Sequence, residues 1–128
     1  VVLERINKIS EEYGLRISNI FHAGDGNLHP LVLFDARIPG ETEKALAAGS
    51  ACLQVCADVG GTITGEHGVG IEKREEMRFV FTDEEIIAQT DIREVFNPKN
   101  LLNAGKLFPT PGRCVEIKKE MKAASAGS

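Results

Sequence analysis

The sequence predicts an α+β fold in which an antiparallel, hairpin-containing sheet carries helices on one face. Three observations support this: an N-terminal stretch with helical apolar spacing, two apolar runs around an Asp25-Gly26 turn, and an alanine-rich helical segment ended by two glycines. We expect the domain to span residues 1–109. We expect the tail over residues 110–128 to be partly disordered, because it ends in small and polar residues.

Composition places the chain among globular proteins. It has 128 residues, of which 42% are hydrophobic and 27% charged, enough for one modest core. The formal net charge is -4, and the basic residues are scattered, which argues against a nucleic-acid partner. No stretch approaches the ~20 apolar residues of a membrane-spanning helix, so no transmembrane segment is expected.

The cysteines and the N-terminus give two further expectations. The three cysteines are an odd set without a CxxC pair, which favours reduced thiols and a cytoplasmic location; they are Cys52, Cys56 and Cys114. The chain opens without an initiator Met and without the pattern of a signal peptide. We therefore expect it to be a piece of a longer protein.

Two helices are predicted in the first half of the chain. Apolar residues at three- and four-residue spacing predict a first helix that ends at Gly14; they are Leu3, Ile6, Ile9 and Tyr13. A second helix is predicted over Glu41–Val59, ended by Gly60-Gly61. Its predicted inward side chains are Leu46, Leu53 and Val55, and we assign Cys52 and Cys56 to the core.

The second half is predicted to hold a short strand and two helices. The strand would cover Thr62–Thr64, and the first helix would run from Ile71 to Phe81. Thr82 precedes three acidic residues, which is typical of an N-cap, and the helix that follows would end at Asn97-Pro98. The phenylalanines of this half are assigned to the core or to an interface with other parts of a longer chain; they are Phe79, Phe81 and Phe96.

All three histidines lie in two glycine-rich segments. If Asp25 and Gly26 are the central residues of a type I′ turn, His22 lies directly opposite His29 and Pro30 opposite Phe21. The histidine Cβ atoms would then be about 5 Å apart, which lets both rings reach one ion at ~2.1 Å.

A metal site is one of two interpretations of these histidines. They could also form an ordinary polar cross-strand pair. A metal needs a third ligand, and the other glycine-framed polar cluster offers Glu66 beside His67. Glu66 alone could equally be a solvated loop carboxylate, and His67 a surface histidine.

Three motifs in order resemble one known family. They are residues 22–29 (HAGDGNLH), 60–70 (GGTITGEHGVG) and 97–106 (NPKNLLNAGK). Together they are similar to the C-terminal end of FAD-linked 2-hydroxy acid oxidoreductases, which include glycolate oxidase flavin subunits, D-lactate dehydrogenases and D-2-hydroxyglutarate dehydrogenases. The resemblance implies a fragment of a ferredoxin-like C-terminal domain that binds substrate. It also implies that FAD is held mainly by an N-terminal domain absent from this chain.

The resemblance also implies residue roles. His22, His29 and Glu66 correspond to the ligands of a divalent metal, usually zinc, and His67 to the active-site base. Asn103 and Lys106 match a segment that passes near the flavin, although Ala104 stands where the family usually has Pro. The implied substrate is a small 2-hydroxy acid. Leu31 stands where some relatives place a polar residue that touches substrate, which argues against a dicarboxylate.

Three functions compete at this stage. The first is the C-terminal part of a flavin-dependent 2-hydroxy acid dehydrogenase or oxidase, inactive by itself, with partner subunits in the full-length enzyme. The second is a stand-alone metal-binding or zinc-hydrolase module, in which water would fill the fourth metal position. The third is an interaction domain. We also expect self-association through an exposed sheet edge or an uncovered apolar face.

Overall fold

The computed structural model describes residues 1–109 and confirms the α+β class. The elements are α1 (Val2–Tyr13), β1 (Arg16–His22), β2 (Asn27–Leu33), α2 (Glu41–Asp58), a 3₁₀ helix (Glu75–Phe79) and α3 (Asp83–Phe96). The chain divides into two compact units, one of residues 1–68 and one that begins at Val69. The predicted tail and Cys114 lie outside the described residues, and the domain limits of 1–109 remain a prediction.

Both helices of the first unit, α1 and α2, end at the glycines that the sequence analysis assigns to their C-terminal ends. Gly14 has φ +56°, its N–H donates to Glu11 O, and the N–H of Leu15 donates to Ser10 O. At the end of α2, the N–H groups of Gly60 and Gly61 donate to Ala57 O and Cys56 O in the same pattern. This pair of bonds is the Schellman motif, which satisfies carbonyls that have no partner within the helix.

The core of the first unit lies between α1, α2 and one face of the hairpin. Its buried side chains are Ile6, Ile9, Leu15, Ala45, Ala48, Cys52 and Val55. Ile17 of β1 and Val32 of β2 pack against them from the sheet. Ala45 and Ala48 give the buried face of α2 small side chains, which suit close packing against Ile6 and Ile9 of α1.

Two core assignments on α2 need correction. Leu46 is 69% exposed, whereas Ala45 and Ala48 are buried, and Leu53 is only half-buried. The buried residues of α2 follow steps of three and four from Ala45, and Leu46 lies about 100° around the helix from that stripe. Cys52 is buried as predicted, and Cys56 is half-buried.

The hairpin register differs from the prediction. His22 pairs with Asn27, Ile20 with His29 and Asn19 with Pro30, so His22 does not lie opposite His29. The loop has four residues instead of two, because the His22 carbonyl accepts from the Asp25 N–H and Gly26 carries φ +68°. Loops of this length are commonly built around such a turn.

The segment after α2 forms neither the predicted strand nor the predicted long helix. Residues 62–64 are irregular, although Ile63 is buried. From Ile71 the chain forms turns and then the short 3₁₀ helix, in which Met77 alone is buried. Five consecutive charged residues, 72–76, leave no apolar stripe that would favour a continuous helix.

In the second unit, α3 begins as predicted and ends at Phe96, with Asn97 as its C-cap. The Thr82 hydroxyl accepts from the Glu85 N–H, and the Glu85 carboxylate accepts from the Thr82 N–H, which is a complete capping box. Ile86 and Ile87 of this helix are buried. Phe96 is 80% exposed, so it is not a core residue, while Phe79 and Phe81 are half-buried.

Among the helices of residues 1–109, none has both the length and the apolar character that a membrane crossing demands.

Candidate functional site

The hairpin places both of its histidines on the sheet face that is turned away from the helices. Side chains alternate along a strand, so His22 and Ile20 share the face opposite to Ile17, and His29 lies beside Ile20. The His22 and His29 ring centroids are 5.5 Å apart, with the ring planes at 85°. The predicted register is wrong by two residues, but His22 and His29 still share a face, because side chains on a strand return to the same face every two residues.

The segment after α2 brings a carboxylate to these rings. Glu66 Oε1 lies 3.1 Å from His29 Nε2 and 3.7 Å from His22 Nε2. The His67 Nε2 is also 3.7 Å from the same oxygen, and its ring centroid is 5.5 Å from that of His29. One carboxylate oxygen therefore faces three imidazole nitrogens, all within the first unit.

The donor atoms of His22, His29 and Glu66 fit a divalent cation. One ligand atom from each residue lies within 4.8 Å of the other two. Ligands at ~2.1 Å in a tetrahedral zinc site are about 3.4 Å apart, close to the two distances to Glu66 Oε1. Two imidazoles and a carboxylate form a donor set that zinc, manganese and iron accept. Three ligands leave a coordination position open.

Exposure differs among the four side chains of this cluster. The side chain of His29 is 27% exposed and that of Glu66 49%, while that of His67 is 76% exposed. His29 and Glu66 thus form the more protected part of the site. His67 stands at its rim, where a small molecule and water both have access.

The glycines of this segment have separate physical roles. Gly68 and Gly70 carry φ of +81° and +61°, a backbone conformation that side chains disfavour. Gly65 lies outside that range, but a Cβ there would stand 2.7 Å from the Asn27 Cγ. The Gly68 N–H donates to the Thr64 hydroxyl at 2.8 Å, which closes the turn that presents Glu66 and His67.

Asn27 is a site residue that the sequence analysis missed. Its Nδ2 donates to Glu66 Oε1 at 3.3 Å. The motif HAGDGNLH contains Asn27, but only its two histidines are predicted as site residues, although the position of Asn27 two residues before His29 places it on the same strand face. That alternation was the available signal.

Asn103 and Lys106 lie together in the second unit. Both side chains are exposed, the Lys106 Nζ is 3.3 Å from the Asn103 Oδ1, and Asn103 has φ +49°. Arg93 of α3 holds this segment, since its guanidinium donates to the carbonyls of Leu102, Asn103 and Lys106. Asn103 and Lys106 line an open cleft of about 540 Å³ in this unit.

Comparison with known proteins gives a family and several relatives. The family model for the C-terminal domain of FAD linked oxidases matches residues 1–107. Glycolate oxidase subunit GlcD of Escherichia coli (strain K12) is 50% identical over 116 residues, which cover 91% of this chain and 23% of that protein. The GlcD subunit of Bacillus subtilis (strain 168) is 38% identical, covering 88% of this chain and 24% of the relative.

A D-lactate dehydrogenase of Archaeoglobus fulgidus is also 38% identical, over 106 residues that cover 80% of this chain and 22% of that protein. The chain thus spans about a quarter of the length of the curated relatives it matches.

Proposed function

The chain belongs to the family of FAD-linked oxidase C-terminal domains, and on that premise we propose that it is the substrate-binding part of a flavin-dependent 2-hydroxy acid dehydrogenase or oxidase, of the glycolate or D-lactate type. The observation that carries the proposal is the convergence of three imidazoles on Glu66 Oε1. The isolated chain is expected to be inactive, because FAD would be held mainly by another domain of the longer enzyme.

His22, His29 and Glu66 would hold a divalent cation, which we propose to be zinc. When bound, the cation would polarise the hydroxyl and carboxylate of the substrate and so lower the hydroxyl pKa. The open face of the cluster, away from α1 and α2, would admit the substrate.

His67 would act as the general base. Its ring stands beside the carboxylate without belonging to the group of three donors, so its Nε2 remains available for the hydroxyl proton. Bound FAD would supply the acceptor for the hydride that leaves C2. His67 would then release its proton to water, since its side chain is largely exposed.

Leu31 favours a small substrate with one carboxylate. It lies two residues beyond His29 on the same strand face and is 46% exposed. The apolar side chain of Leu31 offers no hydrogen-bond or ion-pair partner to a second carboxylate of the substrate. Removing water from that unpaired carboxylate beside Leu31 would cost free energy. This supports glycolate or lactate over a dicarboxylate.

Asn103 and Lys106 are proposed to lie near the flavin in the complete enzyme.

The metal part of the proposal is tested by elemental analysis of the purified chain. We expect close to one equivalent of zinc or manganese in the wild type, and loss of that metal in a His22→Ala, His29→Ala double variant. A Glu12→Gln variant, which changes an exposed carboxylate on α1, serves as the control. Absence of metal from the wild type after both ions are added back would refute the ligand assignment.

The redox part requires the flavin. The segment of Escherichia coli GlcD that aligns with this chain is replaced by the chain itself, and the flavin spectrum is followed without oxygen after addition of glycolate, D-lactate or 2-hydroxyglutarate. We expect bleaching by glycolate or D-lactate that is lost in His67→Ala. A chimera that holds flavin and metal but is reduced by no 2-hydroxy acid would favour the alternative, a metal-binding or zinc-hydrolase module.

Location and self-association complete the proposal. We also propose a cytoplasmic location, which the buried thiol of Cys52 supports. Among the described residues, each strand has one edge without a strand partner, and Ile20, Leu31 and Leu33 of the histidine face are about half exposed. Both features support self-association of the chain. Light scattering that shows only a monomer at high concentration would contradict it.

A further inference from the structure

Asn27 lies at the start of β2, directly opposite His22 and two residues before His29. Its side chain therefore stands on the same sheet face as both histidines. Its Nδ2 donates to Glu66 Oε1 at 3.3 Å, and this is the same oxygen that faces the imidazole nitrogens. Asn27 thus contacts the carboxylate of the cluster without offering it a competing negative charge.

Gly65 leaves the space that the Asn27 amide occupies. A Cβ at residue 65 would lie 2.7 Å from Asn27 Cγ and 2.9 Å from Asn27 Nδ2, closer than real Cβ contacts come. Gly65 does not have a positive φ, so an alanine could adopt its backbone conformation. The need for glycine at this position is therefore steric, and the atoms that would have to move belong to the Asn27 side chain.

We propose that Asn27 is a positioning residue, which fixes the rotation of the Glu66 carboxylate toward His22 and His29, and that residue 65 is glycine to give the Asn27 amide its place. This inference rests on the proposed function, in which Glu66 Oε1 meets a divalent cation.

The physical reason lies in the freedom of a glutamate side chain. Glu66 is half exposed on an irregular segment, so the Asn27 hydrogen bond adds to the 3.1 Å contact with His29 Nε2 in holding the angle that brings Oε1 between the rings. A carboxylate oxygen has more than one lone pair, so Oε1 can accept from Asn27 and still bind a cation. Groups that orient a metal ligand in this way typically account for 10–100-fold in metal affinity.

The test is a double-mutant cycle on zinc affinity. Isothermal titration with Zn²⁺ is carried out on the wild type, Asn27→Ala, Gly65→Ala and the double variant. We expect each single variant to bind Zn²⁺ about 10-fold more weakly. The double variant should be no weaker than the singles, because Gly65→Ala acts by displacing an amide that Asn27→Ala has already removed. Gly24→Ala, which adds a Cβ into open space in the hairpin loop, should bind like the wild type.

Two results would overturn the inference. Unchanged affinity in Asn27→Ala would show that the amide does not position the carboxylate. A double variant about 100-fold weaker than the wild type would show that Gly65 and Asn27 act independently.

A measurement without metal separates this inference from the proposed function. In the NMR spectrum of the metal-free chain, the Asn27 side-chain amide signal should shift in Glu66→Gln and in Gly65→Ala, and stay in place in Glu12→Gln. If the wild type binds no Zn²⁺, the proposed metal site fails. The amide signal then still decides the positioning role, since an Asn27 signal indifferent to both changes would refute it.

Discussion

Zinc should stabilise the first unit, because all three proposed ligands lie within residues 1–68 and come from two segments that unfolding separates. A ligand that binds only the folded state, at 100 times its dissociation constant, adds about 2.7 kcal/mol to the free energy of unfolding. With an unfolding entropy of about 2.1 cal/mol/K per residue, this raises the melting temperature by roughly 19 °C if the 68-residue unit unfolds alone. If residues 1–109 unfold together, the rise is roughly 12 °C.

The assay is thermal unfolding followed by circular dichroism, with and without ZnCl2 in a non-chelating buffer. Zinc also binds the cysteines of an unfolded chain, which reduces the shift, so His29→Ala with its unchanged cysteines gives the baseline. Glu66→Gln should behave like His29→Ala, and Glu12→Gln like the wild type. His67→Ala should keep most of the shift, since a base is not a ligand. Equal shifts in the wild type and in His29→Ala would refute the reasoning.

Three further predictions concern the framework of the two units, a buried thiol and a helix end in the first and a helix cap in the second. Burial raises the pKa of the Cys52 thiol to about 11, so at pH 8 only about one molecule in a thousand carries its thiolate. Iodoacetamide should leave Cys52 unmodified in the folded chain at pH 8 and label it in urea, as read by mass spectrometry. The contribution of this thiol to the free energy of unfolding is full below pH 9 and declines as the pH rises toward 11. Gly61→Ala should lower the free energy of unfolding by about 1–3 kcal/mol, because its Cβ would stand 2.8 Å from the Cys56 carbonyl oxygen. Gly49→Ala, within α2 and with open space around it, should raise that free energy by about 0.5–1 kcal/mol in the same urea titration, and a loss in both variants would contradict the steric argument. Thr82→Ala should destabilise α3 by about 1 kcal/mol through loss of its capping box, whereas Thr82→Ser should not; equal denaturation midpoints for Thr82→Ala and the wild type would show that the cap is dispensable.

Local chemistry made most of the elements predictable. Gly14 and Gly60 end helices because they accept a positive φ, and Thr82 begins one because its hydroxyl replaces a missing acceptor. These effects act within a few residues, so the sequence carries them directly. The hairpin was predictable for the same reason, as was the shared face of its histidines.

What the sequence did not reveal depends on contacts between distant residues. Leu46 is the larger side chain, yet Ala45 is buried, because the approach of α1 decides which stripe of α2 faces inward. The hairpin loop is a local exception, since a hydrogen bond between His22 and Asp25, three residues apart, favours a four-residue loop over the two-residue turn. Strand alternation places Asn27 on the histidine face, but its contact with Glu66 joins residues 39 positions apart, and no local spacing encodes that contact.

The four-residue hairpin loop also decides which changes at this tip the site can tolerate. A register shift of two residues keeps His29 on the face of His22, whereas a shift of one would turn His29 toward α1 and α2. An inserted residue that the loop itself takes up, giving a five-residue loop, leaves the strand pairs and the histidine face unchanged. Inserting one alanine after Gly24 and then two, and comparing the zinc content of the products, would show whether the loop or the strands take up the change.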